Sequence, residues 1–235
     1  MSDNTSLVLG VLGGMGPAAT LEFLTRVQAY TPAETEQDHI RVIADINPKT
    51  PDGALPGNTL GAVLAEMAGA LQGAGAQVLA MPCNTAHAHA GLIERASGLP
   101  LIDMISLGAE AARRSGAARA GVLGTKGALR LYREYLAARA MGLVTLPADR
   151  QEAFMDTIYR IKAGNRSDEV KAEMLAYADD LKSLGAEVLI AGCTEAPLVL
   201  SKVDTRLELI DPGDLLARRA VGVCMGWEPL PNRMS

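Results

Sequence analysis

The chain has 235 residues, 49% apolar and 21% charged, which is enough apolar material for a large core and too much for a disordered chain. At roughly 150 residues per domain the length falls between one domain and two. A net charge of −5 and only two Phe, five Tyr and one Trp argue against a binder of nucleic-acid backbones and against stacking platforms for single strands.

Residues 1–6 hold no basic cluster, and the first apolar run is broken by Gly10, Gly13 and Gly14. Neither a signal peptide nor a transmembrane span is expected, and the cytoplasm is the expected compartment. In chain order, strands are predicted over residues 7–12, 39–45, 77–81, 100–102, 119–123, 144–146, 187–191 and 208–210. Helical stretches alternate with them, among them residues 17–28, 61–73 and 168–184. In the second of these Val63, Leu64, Met67 and Leu71 recur at helical intervals. Such alternation predicts parallel sheets flanked by helices, with ligands held beyond the carboxyl ends of the strands.

The chain also repeats itself. Gly10–Gly16 matches Gly121–Gly127 at five of seven positions, Gly75–Cys83 matches Gly185–Cys193 at five of nine, and Leu99–Asp103 matches Leu207–Asp211 at four of five. The offsets are 111, 110 and 108. The predicted fold is therefore α/β with two pseudo-symmetric lobes, each a four-stranded parallel sheet flanked by helices, and an active site in the cleft between them. Residues 1–104 plus 210–235 are assigned to the first lobe and residues 105–209 to the second.

Three cysteines do not make a disulfide framework. The repeat turns them into an equivalent pair, Cys83 and Cys193, and a spare, Cys224, which lies in a late apolar helix and reads as core filling. Each paired cysteine follows a strand and precedes small polar residues, Asn84 and Thr85 in one case, Thr194 and Glu195 in the other. A thiol at a helix N-terminus has its thiolate stabilised by the dipole and by free N–H groups. Inverting a carbon acid needs a base on one face and an acid on the other, and a thiolate–thiol pair supplies both.

Other readings of these residues remain open from the pattern alone. Cys83, His87 and His89 suggest a metal cluster, but His89 falls off the face shared by the other two and no fourth ligand has suitable spacing. A Cys83–His87 hydrolase pair would leave Cys193 idle. Gly14-x-Gly16-x-x-Ala19, with Asp45 ending the next strand, is a relaxed dinucleotide fingerprint and keeps a nucleotide-dependent oxidoreductase in view. A duplicated glycine loop favours close approach to a small substrate, with Met15 beside it. A binding protein without chemistry would have no use for paired thiols, and no lysine is duplicated or set in a phosphate-binding context.

The loop Gly13–Pro17, the run Met81–His87, the run Ala191–Glu195, Ile210-Asp211-Pro212 and the run Ile158–Asn165 together resemble the cofactor-independent aspartate racemases of the aspartate/glutamate racemase superfamily, over residues 7 to 223. The resemblance implies an amino-acid racemase with Cys83 and Cys193 as catalytic residues, no cofactor, no metal and a homodimeric assembly. It implies that Gly14, Met15, Asn84, Thr85, Thr194, Glu195, Lys162 and Asp52 contact the amino-acid substrate, with Glu195 standing where glutamate racemases commonly have His. Another isomerase of the superfamily acting on a related carboxylate is the alternative; a decarboxylase, whose relatives typically use one cysteine, is disfavoured.

One position departs from the pattern. Similar aspartate racemases often carry Arg after Pro-Asp, where this chain reads Pro51-Asp52-Gly53. Arg forks are the usual clamps for carboxylates. Gly53→Arg is therefore expected to raise activity on aspartate, measured as kcat/KM against the native chain. No gain, in a native enzyme already active on aspartate, would assign the clamp to another group.

Overall fold

Leu9–Gly13 forms β1, five consecutive buried residues, as expected of a strand covered on both faces. The computed structural model describes residues 6–51 and 59–233. The chain divides into two compact units, Met1–Met104 with Gly213–Ser235, and Ile105–Pro212. After β1 come α1 (Pro17–Tyr30), β2 (Val42–Ile46), α2 (Thr59–Gly73), β3 (Val78–Ala80) and α3 (Ala90–Ser97). Pro17 opens α1 at a position where its missing N–H costs nothing. The strands run parallel in the order β2-β1-β3. Leu64, Met67 and Leu71 of α2 and Ile93 of α3 are buried in one cluster with Leu12, Leu79 and Met81.

The chain then runs through α4 (Met104–Arg114), β4 (Arg119–Val122), α5 (Lys126–Ala137), β5 (Gly142–Val144), α6 (Ala148–Lys162), α7 (Asp168–Ser183), β6 (Val188–Ile190) and β7 (Leu209–Ile210) before α8 (Pro212–Cys224). The second sheet is parallel in the order β5-β4-β6-β7. Its core joins Leu123, Phe154, Ile158, Met174, Leu181 and Leu189, and Phe154 meets Tyr177 edge to face at 5.7 Å. Residues 47–58 separate β2 from α2, whereas residues 145–167 separate β5 from α7 and make room for α6.

The two units repeat each other in local detail. Gly75 and Gly185 both end their helices with positive φ, 102° and 95°. Ala76 N–H donates to Leu71 O at 3.0 Å, and Ala186 N–H to Leu181 O at 3.0 Å. In the central strands Gly10 pairs with Leu79 and Gly121 with Leu189. A Cβ on Gly10 would lie 2.8 Å from Ala76 Cβ, and one on Gly121 would lie 2.8 Å from Ala186 Cβ. In both units glycine lets the residue after the helix pack directly on the central strand.

Two sequence expectations need correction. Among the described residues the first sheet has three strands, not four: at residues 100–102 a single bridge joins Leu101 to Leu79. The second ladder runs one rung further, with Ala191 N–H donating to Ile210 O at 2.9 Å, whereas the matching carbonyl, Ile102 O, lies beside the His87 ring. The bridge is instead tied from the side, Leu101 N–H donating to the buried Glu94 Oε1 at 2.8 Å. The strand expected at residues 144–146 lies two residues earlier, as β5. Gly142 N–H donates to Ala118 O at 2.8 Å, and Leu146 leaves the sheet for the core just before Pro147.

Gly10→Ala and Gly121→Ala are each expected to lower stability by about 1–3 kcal/mol through overpacking, measured by urea unfolding. Gly69→Ala, in the interior of α2 with nothing within 4 Å of the new Cβ, is expected to raise it by about 0.5–1 kcal/mol.

Candidate active site

Cys83 lies three residues beyond the carboxyl end of β3 and is half-buried. Its N–H donates to Met81 O at 2.8 Å, a tight turn around Pro82. A single five-residue 3-10 turn, Thr85–His89, separates it from α3. Asn84 is buried and Thr85 half-buried. His87 Nε2 accepts from Met104 N–H at 3.2 Å, so the ring proton belongs on Nδ1, which donates to the Cys83 carbonyl at 2.9 Å. In that tautomer the 3.5 Å approach of Nε2 to Ile102 O sets two acceptors against each other and is not a hydrogen bond. His87 therefore ties the Cys83 turn to the start of α4 through backbone groups.

The glycine loop after β1 is held just as tightly. Gly14 has φ of 100°, and a side chain there would run into the Asn47 backbone. Its N–H donates to Thr20 Oγ1 at 3.0 Å, and Asn47 N–H donates to Gly13 O at 3.3 Å. The Gly14 amide that a dinucleotide fingerprint would offer to a pyrophosphate is thus bonded within the protein. Met15 is half-buried in the same loop. Asp52 and Gly53 lie outside the described residues.

Cys193 occupies the matching place beyond β6 but has a different environment. It is buried, and its Sγ–H donates to Glu195 Oε2 at 3.0 Å. The Thr194 hydroxyl donates to the same oxygen at 3.4 Å, and Glu195 itself is only 3% exposed. Burial pushes the Cys193 thiol well above its ordinary pKa, and the adjacent Glu195 carboxylate adds to the shift, while Lys162 opposes it. Lys162 is the last residue of α6, with its ammonium 5.6 Å from the centre of the Tyr159 ring. Of the residues singled out by sequence in the second unit, Glu195 and Lys162 act on the Cys193 thiol, and Thr194 is bonded to Glu195.

The expected helix dipole behind each cysteine is not what the fold supplies. Cys83 is followed by the five-residue 3-10 turn, and Cys193 by one of three residues, Ala196–Leu198. Pro197 leaves that turn one donor fewer. The macrodipole grows from aligned helical peptides, and these turns are too short to lower a buried thiol against its desolvation. Sequence reasoning also missed two side chains that shape the loops. Thr20 holds Gly14, and the buried Gln151 of α6 donates Nε2–H to Gly124 O at 3.0 Å. Thr20, six residues beyond Gly14 in a helix opened by Pro17, carried a weak signal, whereas Gln151 carried none. Cys224 is buried in α8, and burial pushes its thiol up to about 12.

Among the described residues no helix is long and apolar enough to cross a membrane. The sequence pattern of the Asp/Glu/Hydantoin racemase family matches residues 12–220. The broad specificity amino-acid racemase RacX of Bacillus subtilis is 24% identical over 230 residues, 94% of this chain and 100% of RacX. A glutamate racemase of Roseiflexus sp. is 27% identical over 209 residues, 86% of this chain and 72% of that one. Among solved structures, the aspartate racemase of Picrophilus torridus superposes with a TM-score of 0.80 at 24% identity, covering 96% of each chain. An aspartate racemase homologue from Pyrococcus horikoshii gives 0.74 at 23% identity, covering 92% of this chain and 98% of that one. At these identities the structural likeness bears on the fold alone, but the family pattern spans most of the sequence, and the chain belongs to the Asp/Glu/Hydantoin racemase family.

Proposed function

We propose that this chain is an amino-acid racemase of the aspartate-racemase type, inverting the α-carbon by proton transfer between Cys83 and Cys193 without a cofactor. The observation that carries the reading is the recurrence of a cysteine three residues beyond the third strand of each unit, in units whose helix-end glycines and central-strand register also repeat. In this reading one cysteine, as thiolate, removes the α-proton. The C–H electron pair stays on carbon, and the other cysteine's thiol delivers a proton to the opposite face; the roles exchange for the other enantiomer. Asn84, Thr85 and Thr194 are proposed to hold the α-carboxylate beside Gly14 and Met15, with Lys162 as a local positive charge on a chain of net charge −5. The relatives act on aspartate, on glutamate or broadly on amino acids, and Gly53 lies where similar aspartate racemases have Arg, so the side chain accepted is the open specificity of this reading.

The test is incubation with a panel of single-enantiomer amino acids in deuterated water, with no cofactor added. Inversion with deuterium gained at the α-carbon is expected, and Cys83→Ala and Cys193→Ala should each lower kcat/KM by at least about 10²–10⁴-fold. Full activity in either variant would sink the two-cysteine mechanism.

A second expectation concerns the thiols directly. Cys224 at about 12, against an ordinary 9.0, has about a thousandfold smaller thiolate fraction at neutral pH than a free thiol. Native-state alkylation followed by mass spectrometry is expected to label the half-buried Cys83 first and to leave Cys193 and Cys224 protected until the chain is unfolded. Early labelling of Cys193 would contradict its burial.

A further inference from the structure

We propose that His87 is the positioning residue of Cys83, with a separate task for each ring nitrogen. Nδ1–H sets the direction of the Cys83 peptide, and with it the sulfur, while Nε2 caps the start of α4. The effect on rate rests on the racemase reading; the geometry stands apart from it.

Cys83 leaves β3 through Pro82 and is held at both of its backbone groups. Its N–H donates to Met81 O at 2.8 Å, and its carbonyl accepts from His87 Nδ1–H at 2.9 Å. With both groups bonded, the φ and ψ of Cys83 are fixed, and the sulfur follows the backbone within its staggered rotamers. His87 is held in turn: the ring is buried, and its own N–H donates to Asn84 O at 3.1 Å. Two successive carbonyls of the turn, those of Cys83 and Asn84, thus end on one residue.

The second unit closes its turn differently. Pro197 stands at the place matching His87, and the Cys193 carbonyl accepts from the Ala196 N–H at 3.0 Å. A backbone donor serves there, whereas a side chain serves here, and the side chain reaches further. Met104 opens α4 and is the last residue of the first unit. N–H groups in a first helical turn have no partner within the helix, and that of Met104 donates to His87 Nε2 at 3.2 Å. An imidazole serves both groups only when it is neutral with its proton on Nδ1. In water the neutral ring favours the proton on Nε2, so the tautomer is a property of this site.

His87 acts on the reaction through the Cys83 backbone, and displacing a reacting atom by about 1 Å costs on the order of 10²-fold in rate. Two variants separate its tasks. In His87→Asn the amide N–H takes the place of Nδ1–H and still reaches the Cys83 carbonyl, but the Met104 N–H loses its acceptor. In His87→Gln the amide oxygen takes the place of Nε2, and the Cys83 carbonyl loses its donor. His87→Gln is expected to lower kcat/KM by about 10–100-fold with a urea midpoint near that of the native chain. His87→Asn is expected to lower the urea midpoint and to retain most of kcat/KM. A residue that only filled space would lose activity and stability together in both. Equal losses of kcat/KM, or a larger loss in His87→Asn, would overturn the proposal.

If the native chain inverts no amino acid, the racemase reading fails by itself, and the same split is read from alkylation of Cys83 by iodoacetamide. That rate is expected to change in His87→Gln and to stay native in His87→Asn; the same rate in all three proteins would overturn the positioning role. The ring is also tested in the native chain, without any variant having to fold. Its three histidines are His39, His87 and His89, few enough for each ring to be resolved by nitrogen chemical shifts of the isotope-labelled protein. At a pH where the His87 ring is neutral, Nδ1 is expected at the shift of a protonated nitrogen and Nε2 at that of an acceptor. A proton on Nε2, or exchange between the two tautomers, would overturn the assignment of tasks.

Discussion

Everything that positions the two cysteines depends on how closely a helix end can approach the middle of a central strand. In each unit a helix closes on a glycine with positive φ, Gly75 or Gly185, and the next residue, Ala76 or Ala186, lies against Gly10 or Gly121. A side chain on the strand glycine would meet that alanine at 2.8 Å, and interiors packed to crystal density have no slack to absorb such an intrusion. The third strand starts two residues later, so this contact sets its height against the central strand, Leu79 opposite Gly10 and Leu189 opposite Gly121. Three residues beyond its end comes a cysteine. The position of each thiol follows from one steric contact at the far end of a three-residue strand.

What that contact does not determine is the environment of each sulfur. The first unit offers Cys83 a half-buried turn braced by a histidine on its carbonyl. The second surrounds Cys193 with the core of α6 and α7, and Ala196 and Leu200 share its cluster. The helix α6 has room only because residues 145–167 replace the shorter link of the first unit. That helix brings Lys162 within electrostatic reach of the sulfur and Gln151 onto Gly124. It is itself held to α7 on the outside. Arg150 binds Asp180 at 2.6 Å while its guanidinium covers the Tyr177 ring, and Arg160 and Thr157 both reach Glu173. Pairs this exposed contribute little singly, but a network spread along both helices fixes their register.

The alternation of strands and helices was legible because fully buried strands such as Leu9–Gly13 are short and apolar, and because the repeat supplied each element twice. Equivalence of Cys83 and Cys193 along the sequence followed from the same repeat. Strand ends were less legible where tertiary contacts decide them: the ladder at Leu101 stops after one bridge although periodicity would extend it, and Leu146 looks like a strand residue because core positions in loops have the same composition. The contrast between the two sulfurs was not legible at all. A sequence states that polar residues follow both cysteines, but not that one sulfur joins a buried core cluster while the other is half-buried. Nor does it state that Glu195 turns back onto the residue two before it. The expectation of helix dipoles failed for a related reason, since Asn84 and Thr194 are good caps by type and the chain opens only 3-10 turns behind them.

On the proposed racemase reading, this inequality need not slow the reaction. Equal free energies of the two enantiomers constrain the ends of the path and leave the two proton-transfer barriers free to differ, and the rate answers to the higher one. The buried thiol is the harder to ionise, so the higher barrier would be expected on its side. The Glu195 carboxylate accepts its hydrogen bond at 3.0 Å. It also raises the thiol's resting pKa, which keeps Cys193 protonated between turnovers and ready to act as acid. A symmetric site, with both sulfurs half-exposed as Cys83 is, would avoid the cost at the expense of admitting water to a carbanion.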